Sequence, residues 1–223
     1  MARLPPCVRA ACATSAAVRV ASSRTCDRSA SQRWASNPIA HGPRKAGPRG
    51  LDLRDGAAES LPFVDASFDV VTFENALHHV TEIGRAIEEA VRVARRAVVI
   101  LDPWFDLSIP TQIVGDRFER WLKRTDRMTG MVHRDPIAAG AIIDALGTSP
   151  ARPITVRHLL HLTNLTAEAF EHLASRALRH RDDAAFARAY EQNGLDRELT
   201  AIRAEVARTG ITEAGALLMT IAK

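Results

Sequence analysis

The chain has 223 residues, of which 46% are hydrophobic and 25% charged, as expected for one globular domain with an appendage. Its formal charge of +4 and sequence pI of 9.4 conceal an uneven distribution. Residues 1–50 carry nine basic residues and one acid, whereas the remainder carries 21 basic and 25 acidic residues. The basic character therefore belongs to residues 1–50, and the rest of the chain is net acidic. We expect no nucleic-acid partner. No apolar run reaches the roughly 18 residues that would span a membrane.

The leader, residues 1–49, is rich in Ala, Arg, Ser and Pro and shows no apolar period, which predicts disorder. Its three cysteines match neither a disulfide framework nor a paired-cysteine zinc site. Three interpretations stay open: an organelle transit peptide, a basic arm for nucleic acid or an anionic membrane, and a mis-set start or frame slip in a GC-rich gene. We favour the last, because it also explains a missing glycine turn.

From Gly50 onward, short apolar runs alternate with amphipathic stretches. The pattern predicts a buried strand at 68–73, a helix from Thr81 to Arg96 capped by Thr81, and an apolar strand at 97–101. Such a strand–helix–strand unit is a βαβ crossover, so its two strands should be parallel. A mostly helical region follows with a helix start at Asp135-Pro136. Later elements are a strand at 153–160, helices at 166–180, 183–191 and 196–209, and a last strand at 215–222.

The segment from Ala58 to Val80, AESLPFVDASFDVVTFENALHHV, carries a family resemblance. It resembles the central block of the class I S-adenosylmethionine-dependent methyltransferases, in the small bacterial type 11 subgroup. The resemblance runs from about Gly50 to the C-terminus. It implies a partial methyltransferase domain at 50–223, with a Rossmann-like, doubly wound, mostly parallel α/β sheet and a helical cap at about 104–150. The last strand would be antiparallel, as in the family.

The resemblance also implies a set of site residues. In the family the acidic loop lies beside the adenine of S-adenosylmethionine, and the turn after the strand lies near the methyl donor. The expected cofactor-binding residues are therefore Ala57, Ala58, Glu59, Asn75, Leu77 and His78. Asp102, Trp104 and His133 are expected to contact a small-molecule substrate, and for Asp102 capping of the following helix stays open as an alternative. Asp69 is expected to fix the geometry of the strand and the loop.

Two adjacent histidines, His78 and His79, invite a metal or general-base interpretation. Adjacent histidines are expected to point in different directions, and no carboxylate lies at a metal-binding spacing. We therefore predict no metal site. We assign no catalytic residue either, because methyl transfer from a sulfonium needs mainly alignment and the exclusion of water.

One part of the family pattern is missing. The family holds the methionine end of its cofactor on a Gly-x-Gly-x-Gly turn after the first strand, and no apolar strand precedes the glycines at 42, 47 and 50. An alternative alignment makes 50–53 the second strand, with Asp52 gripping the ribose hydroxyls. We expect a sheet that is incomplete in its N-terminal half and self-associates through an exposed edge.

Two functions stay open for this chain. One is S-adenosylmethionine-dependent methyl transfer to a small molecule. The alternative is a catalytically inactive remnant or a partner-binding module that lacks the glycine loop. The expected location is the cytoplasm, or an organelle if residues 1–49 are a transit peptide.

Overall fold

A computed structural model describes residues 17–21, 32–35, 53–55, 57–147 and 152–223, the first three spans through their backbone alone. The strands are β1 Ala17–Ala21, β2 Gln32–Ala35, β3 Leu53–Asp55, β4 Phe68–Glu74, β5 Ala94–Trp104, β6 Ile154–Leu159 and β7 Gly215–Ala222. The helices are α1 Ile83–Val93, α2 Pro110–Met128, α3 Ala139–Ala145, α4 Ala167–Ala177, α5 Ala184–Gln192 and α6 Leu195–Thr209. None of these helices combines the length and the hydropathy needed to cross a membrane.

The strands form one sheet in the order β3-β2-β1-β4-β5-β7-β6. β4 and β5 run parallel, which confirms the βαβ prediction, with Val71 opposite Val98. β7 runs antiparallel to β5 and to β6, so the prediction for the last strand is also confirmed. β1 is antiparallel to β2 and β4, and the sheet is therefore mixed rather than mostly parallel over the described strands.

Two of the strands lie inside the leader. β1 and β2 occupy residues where the composition predicts disorder, so that prediction is wrong for 17–21 and 32–35. β1 also pairs with β4 at the edge that was expected to be exposed. The structural reason given for self-association is thereby removed, and self-association itself stays a prediction. The cysteines, the glycines at 42, 47 and 50, and Asp52 lie outside the described residues.

The first hydrophobic core lies between the sheet and the helices α1 and α3. Phe73 of β4, Ile100 of β5, Met219 of β7 and Ile87 of α1 are all fully buried there. The apolar residues of α1 recur at helical spacing, so one face of the helix packs on the sheet. This packing fixes where β4 and β5 end, and those ends carry the polar residues discussed below.

A second hydrophobic core joins α2 to the later helices α4, α5 and α6. Trp121 of α2 is fully buried, and its Nε1 donates a hydrogen bond to the carbonyl oxygen of Leu195 at 3.1 Å. Residues 110–128 and 167–209 thus share one helical core, and the helical cap expected at about 104–150 stays a prediction.

The predicted helix start at Asp135-Pro136 is wrong. Residues 131–138 have no regular structure, and α3 begins only at Ala139. The carboxylate of Asp135 instead accepts hydrogen bonds from Arg120 at 3.2 Å and Arg127 at 3.1 Å. Two ion pairs to α2 thus take the place of a helix cap, and they hold this loop against α2.

Candidate functional site

The chain turns sharply where β4 ends beside β5. Asn75 has a φ of 48°, in the left-handed region that Asn tolerates better than most residues. Its backbone N–H donates to the carbonyl oxygen of Leu101 at 2.8 Å, which keeps the turn beside β5. A short 3-10 helix, Leu77–His79, follows immediately. The turn therefore places His78 next to Asp102, the residue after Leu101.

His78 and Asp102 form a buried pair. The Nδ1 of His78 lies 2.9 Å from Oδ1 of Asp102, and the two residues are 5% and 0% exposed. An ionised carboxylate can only accept, so Nδ1 carries a proton, and in the neutral imidazole Nε2 then has the lone pair. The second oxygen, Oδ2 of Asp102, has no hydrogen-bond partner within the described part of the chain. A carboxylate buried in this way depends on the histidine for most of its compensation.

Two further histidines pack against His78. The ring centroids of His79 and His133 lie 4.3 Å and 5.2 Å from that of His78, and 4.3 Å from each other. Nδ1 of His79 lies 3.0 Å from the carbonyl oxygen of Val132, and Nδ1 of His133 lies 2.7 Å from Oδ2 of Asp126. We call His78, His79 and His133 the histidine cluster. Adjacent histidines were expected to point in different directions, which is wrong here, because the rings of His78 and His79 contact each other and His133 packs against both.

The histidine cluster is crowded and partly desolvated. Burial, followed by the proximity of His78 and His133, lowers the pKa of His79 to about 4. The nearby ammonium group of Lys123 acts in the same direction. Lys123 is fully buried and pairs with Glu119, its Nζ lying 3.3 Å from Oε1. His79 is therefore neutral near pH 7, and one of its two ring nitrogens carries a free lone pair.

Glu59, expected beside the cofactor, has a structural contact. Its Oε1 accepts hydrogen bonds from the backbone N–H groups of Thr81 at 3.0 Å and Glu82 at 3.2 Å. These donors precede α1, so Glu59 satisfies the helix N-terminus and the prediction that Thr81 is the cap is wrong. The Nε of Arg85 on α1 donates to the carbonyl oxygen of Glu59 at 3.0 Å. The carboxylate and the backbone carbonyl of Glu59 therefore both hold the loop to the start of α1.

The rest of the loop is also held by the sheet and α1. Arg92 donates to the carbonyl oxygens of Leu61 at 2.9 Å and Phe63 at 2.8 Å. Arg95 donates to the carboxylate of Asp69 at 3.0 Å, which confirms that Asp69 fixes strand and loop geometry. Because these arginine side chains hold the loop in place, it forms a preformed wall.

The remaining predicted residues are dispersed. Ala57 is exposed, whereas Ala58 and Leu77 have no exposed surface and pack in the first core. Leu77 can therefore offer a ligand little besides its backbone. Trp104 packs its ring 4.4 Å from that of His158, centroid to centroid. The structure thus brings His78, Asp102 and His133 together and gives Trp104 a different neighbour.

Sequence reasoning left three members of this region without a role: His79, which it considered as a metal ligand and set aside, and Asp126 and Lys123, which it missed. His79 and Val132 are 53 residues apart, and no local pattern reports a contact at that separation. Each of the three would pass for a packing or solvated residue on a helix or turn. Only the docking of the 131–138 loop identifies them.

Comparison with known proteins gives a family match in the first half of the chain and two partial matches to single relatives. The family described as a methyltransferase domain matches residues 9–101. YcgJ, an uncharacterized methyltransferase of Bacillus subtilis strain 168, is 38% identical over 71 residues, 32% of this chain and 27% of YcgJ. YafE, an uncharacterized protein of Escherichia coli strain K12, is 30% identical over 95 residues, 41% of this chain and 42% of YafE. The chain thus spans less than half the length of these relatives.

The family match begins well before Gly50, where the sequence pattern places the start of the resemblance, so that boundary is wrong. Among solved structures, the cyclopropane-fatty-acyl-phospholipid synthase-like protein of Lactobacillus casei has a TM-score of 0.54 at 13% identity. The alignment covers 79% of this chain and 65% of that protein. At this identity the likeness concerns the fold alone, and it supports the Rossmann-like α/β class predicted from the sequence.

Proposed function

We propose that this chain, whose residues 9–101 match the methyltransferase domain family, transfers a methyl group from S-adenosylmethionine to a small molecule. The observation that carries the proposal is that the family match ends at Leu101, at the edge where β4 and β5 finish side by side. In open α/β sheets, ligands bind outside the carboxyl ends of the strands. The turn at Asn75 and the His78–Asp102 pair lie at that edge.

The residues at this edge fit part of such a cofactor. Asn75 is exposed in a left-handed turn, so its amide is available to donate and accept. Glu59 uses Oε1 for the α1 amides, which leaves Oε2 as an acceptor on the same wall. We assign Ala57, Ala58 and Glu59 to the adenine side. Asn75, the backbone of Leu77 and His78 are assigned to the methyl side.

When bound, S-adenosylmethionine supplies an already activated methyl group, so the protein has to align the acceptor and exclude water. The cap formed by α2 and α4–α6 follows directly after β5 and would cover the acceptor. Asp102 and His133 are proposed to face that acceptor, and Trp104 to border it. A small molecule suits the net acidic body better than a nucleic acid, because phosphate binding draws on clustered basic residues.

Calorimetric titration of S-adenosylhomocysteine into the full-length protein tests the proposal. We expect saturable heat with one equivalent bound per chain. Asn75→Gly keeps the backbone conformation and removes the amide, so it should weaken binding about 3- to 10-fold, the loss expected for one hydrogen bond. Asn164→Ala, at an exposed asparagine before α4, is the matched control and should bind normally.

Two results would contradict the proposal. One is the absence of binding heat at protein concentrations well above the micromolar range, which would indicate a fold that no longer holds the cofactor. The other is equal binding by wild type and Asn75→Gly, which would place the cofactor away from the β4 turn.

A further inference from the structure

The histidine cluster is not required by methyl transfer, yet it has the arrangement of a ligand set. One ring nitrogen from each of His78, His79 and His133 lies within 4.8 Å of those of the other two. These atoms come from two segments joined by backbone contacts: the N–H of Arg134 donates to the carbonyl oxygen of His78 at 2.8 Å. Nε of Arg134 also donates to the carbonyl oxygen of Val80 at 3.0 Å. The rings are therefore held together by the fold and not by chance side-chain rotamers.

A second, independent observation concerns the other nitrogen of each ring. All three Nδ1 atoms lie beside an acceptor: the carboxylate of Asp102, the carbonyl oxygen of Val132, and the carboxylate of Asp126. In a neutral imidazole these acceptors favour the tautomer with the proton on Nδ1, which leaves the lone pair on Nε2 for a metal ion. No partner for an Nε2 atom of the cluster is found within 57–147 and 152–223. Metal-binding histidines show this same pattern, with the second nitrogen oriented by a carboxylate or carbonyl.

We propose that the histidine cluster binds one divalent transition-metal ion of the zinc type through its three Nε2 atoms. Zinc–imidazole bonds of about 2.0–2.1 Å in a tetrahedron require nitrogens about 3.4 Å apart, so ligand nitrogens that lie within 4.8 Å of one another must move closer by up to about 1.4 Å. The ion would leave a fourth position for water or for a heteroatom of a bound ligand. His133, with 14% of its side chain exposed, provides the side of the cluster that opens to solvent.

The donor set selects the class of ion. Three imidazoles suit zinc, copper, nickel and iron, whereas magnesium and calcium prefer oxygen ligands. The carboxylates of Asp102 and Asp126 supply negative charge behind two of the ligands. The buried ammonium of Lys123 opposes a cation, and its pairing with Glu119 offsets part of that repulsion. Taken together, the three imidazoles and the charges around them favour an ion of the zinc type.

The test uses untagged full-length protein that has been stripped with a chelator. Zinc is titrated calorimetrically and cobalt is titrated by visible absorption, since tetrahedral cobalt has an intense d–d spectrum. Because the leader contains cysteines, the titrations are repeated in the Cys7→Ser, Cys12→Ser, Cys26→Ser triple variant. We expect one equivalent of either metal to bind the triple variant with wild-type affinity, and cobalt to show the tetrahedral spectrum.

Variants locate the ion. His133→Ala should abolish the cobalt spectrum and weaken zinc binding at least 100-fold, and Asp126→Asn should weaken it about 10- to 100-fold through the ring orientation. His172→Ala, at an exposed histidine on α4, is the matched control and should bind like wild type. Circular dichroism confirms that each variant is folded. Loss of the binding in the cysteine variant, or equal affinities for His133→Ala and His172→Ala, would overturn the proposal.

The metal site and the methyl-transfer proposal can fail separately. Zinc binding is measured without S-adenosylhomocysteine, and binding of S-adenosylhomocysteine is measured on the chelator-stripped protein. A protein that binds zinc but does not bind S-adenosylhomocysteine would support the metal site and contradict the methyl-transfer proposal. The reverse result would leave the histidine cluster as packing alone.

Discussion

Nδ1 of His78 donates to the carboxylate of Asp102 across the ends of two parallel strands, at 2.9 Å and almost out of contact with solvent. This bond joins the turn after β4 to the last buried residue of β5. It also fixes the orientation of the imidazole that both proposals place at the ligand-binding edge. Because Oδ2 of Asp102 has no other partner within the described residues, the pair is the main compensation for a buried charge.

Asp102→Asn tests the energetic role of this pair. The substitution keeps the shape but removes the charge, so we expect the free energy of unfolding to fall by about 1–3 kcal/mol in urea denaturation. Asp182→Asn, at an exposed aspartate, should change it by less than about 0.5 kcal/mol. In a double-mutant cycle, His78→Gln should cost little more once Asp102 is replaced. Full additivity would argue against a coupled pair.

We expect the left-handed backbone conformation at position 75, and not buried side-chain contacts, to be the reason that Asn is stable there. Since its φ is 48°, Asn75→Ala should lower the free energy of unfolding by about 1 kcal/mol, while Asn75→Gly should leave it nearly unchanged. Thermal unfolding of the two variants side by side provides the measurement. Equal destabilisation by Ala and Gly would point to the lost amide group instead of the left-handed turn.

Glu59→Ala removes the acceptor from the amides before α1. We expect a loss of about 0.5–2 kcal/mol, the usual cost of removing a helix cap. Glu59→Gln keeps an oxygen acceptor and should lose less than Ala. Glu88→Ala, at an exposed acid within α1, is the control for loss of a carboxylate. The idea fails if Glu59→Ala and Glu88→Ala have the same melting temperature.

The lowered pKa of His79 predicts a dependence of stability on pH. Its pKa is about 4 in the folded chain and near 6.5 when unfolded, so between these values the unfolded state binds a proton that the folded state does not. Stability from His79 is therefore present above pH 6.5 and lost as the pH falls toward 4. After allowing for partial exposure, the loss is about 1–2 kcal/mol.

Comparison of wild type with His79→Gln isolates this contribution from other titrating groups. Urea denaturation at pH 7 and pH 4.5 should show a smaller acid loss in the variant. His172→Gln should behave like wild type. An unchanged pH dependence in His79→Gln would mean that the histidine is solvated rather than desolvated.

Local sequence patterns predicted the elements that are packed on one face or both. The apolar run at β4, the helical period of α1 and the terminal strand β7 were recovered within a few residues of their observed bounds. Burial alone selects these patterns, because an apolar run or stripe must meet a core wherever it lies in the chain. A turn after β4 was also expected, but the left-handed backbone of Asn75 was found only in the structure.

Where distant residues compete, the local rules gave wrong answers. Thr81 has the composition of a helix cap, but the carboxylate of Glu59 reaches the same amides first. Asp135-Pro136 has the composition of a helix start, but Arg120 and Arg127 take the carboxylate. β1 and β2 are too short to be recognised from sequence alone, and the pairing of β1 with β2 and with β4 stabilises them as strands.

The sequence by itself determined the α/β class, the methyltransferase resemblance and the edge at which the polar residues gather. Only the tertiary structure decided which of those residues meet. His133 and Asp126 join His78 because the 131–138 loop docks on α2 and on the β4 turn, a contact across more than fifty residues. Propensity and capping act over a few residues, whereas a three-histidine cluster requires long-range packing energy to hold its segments together.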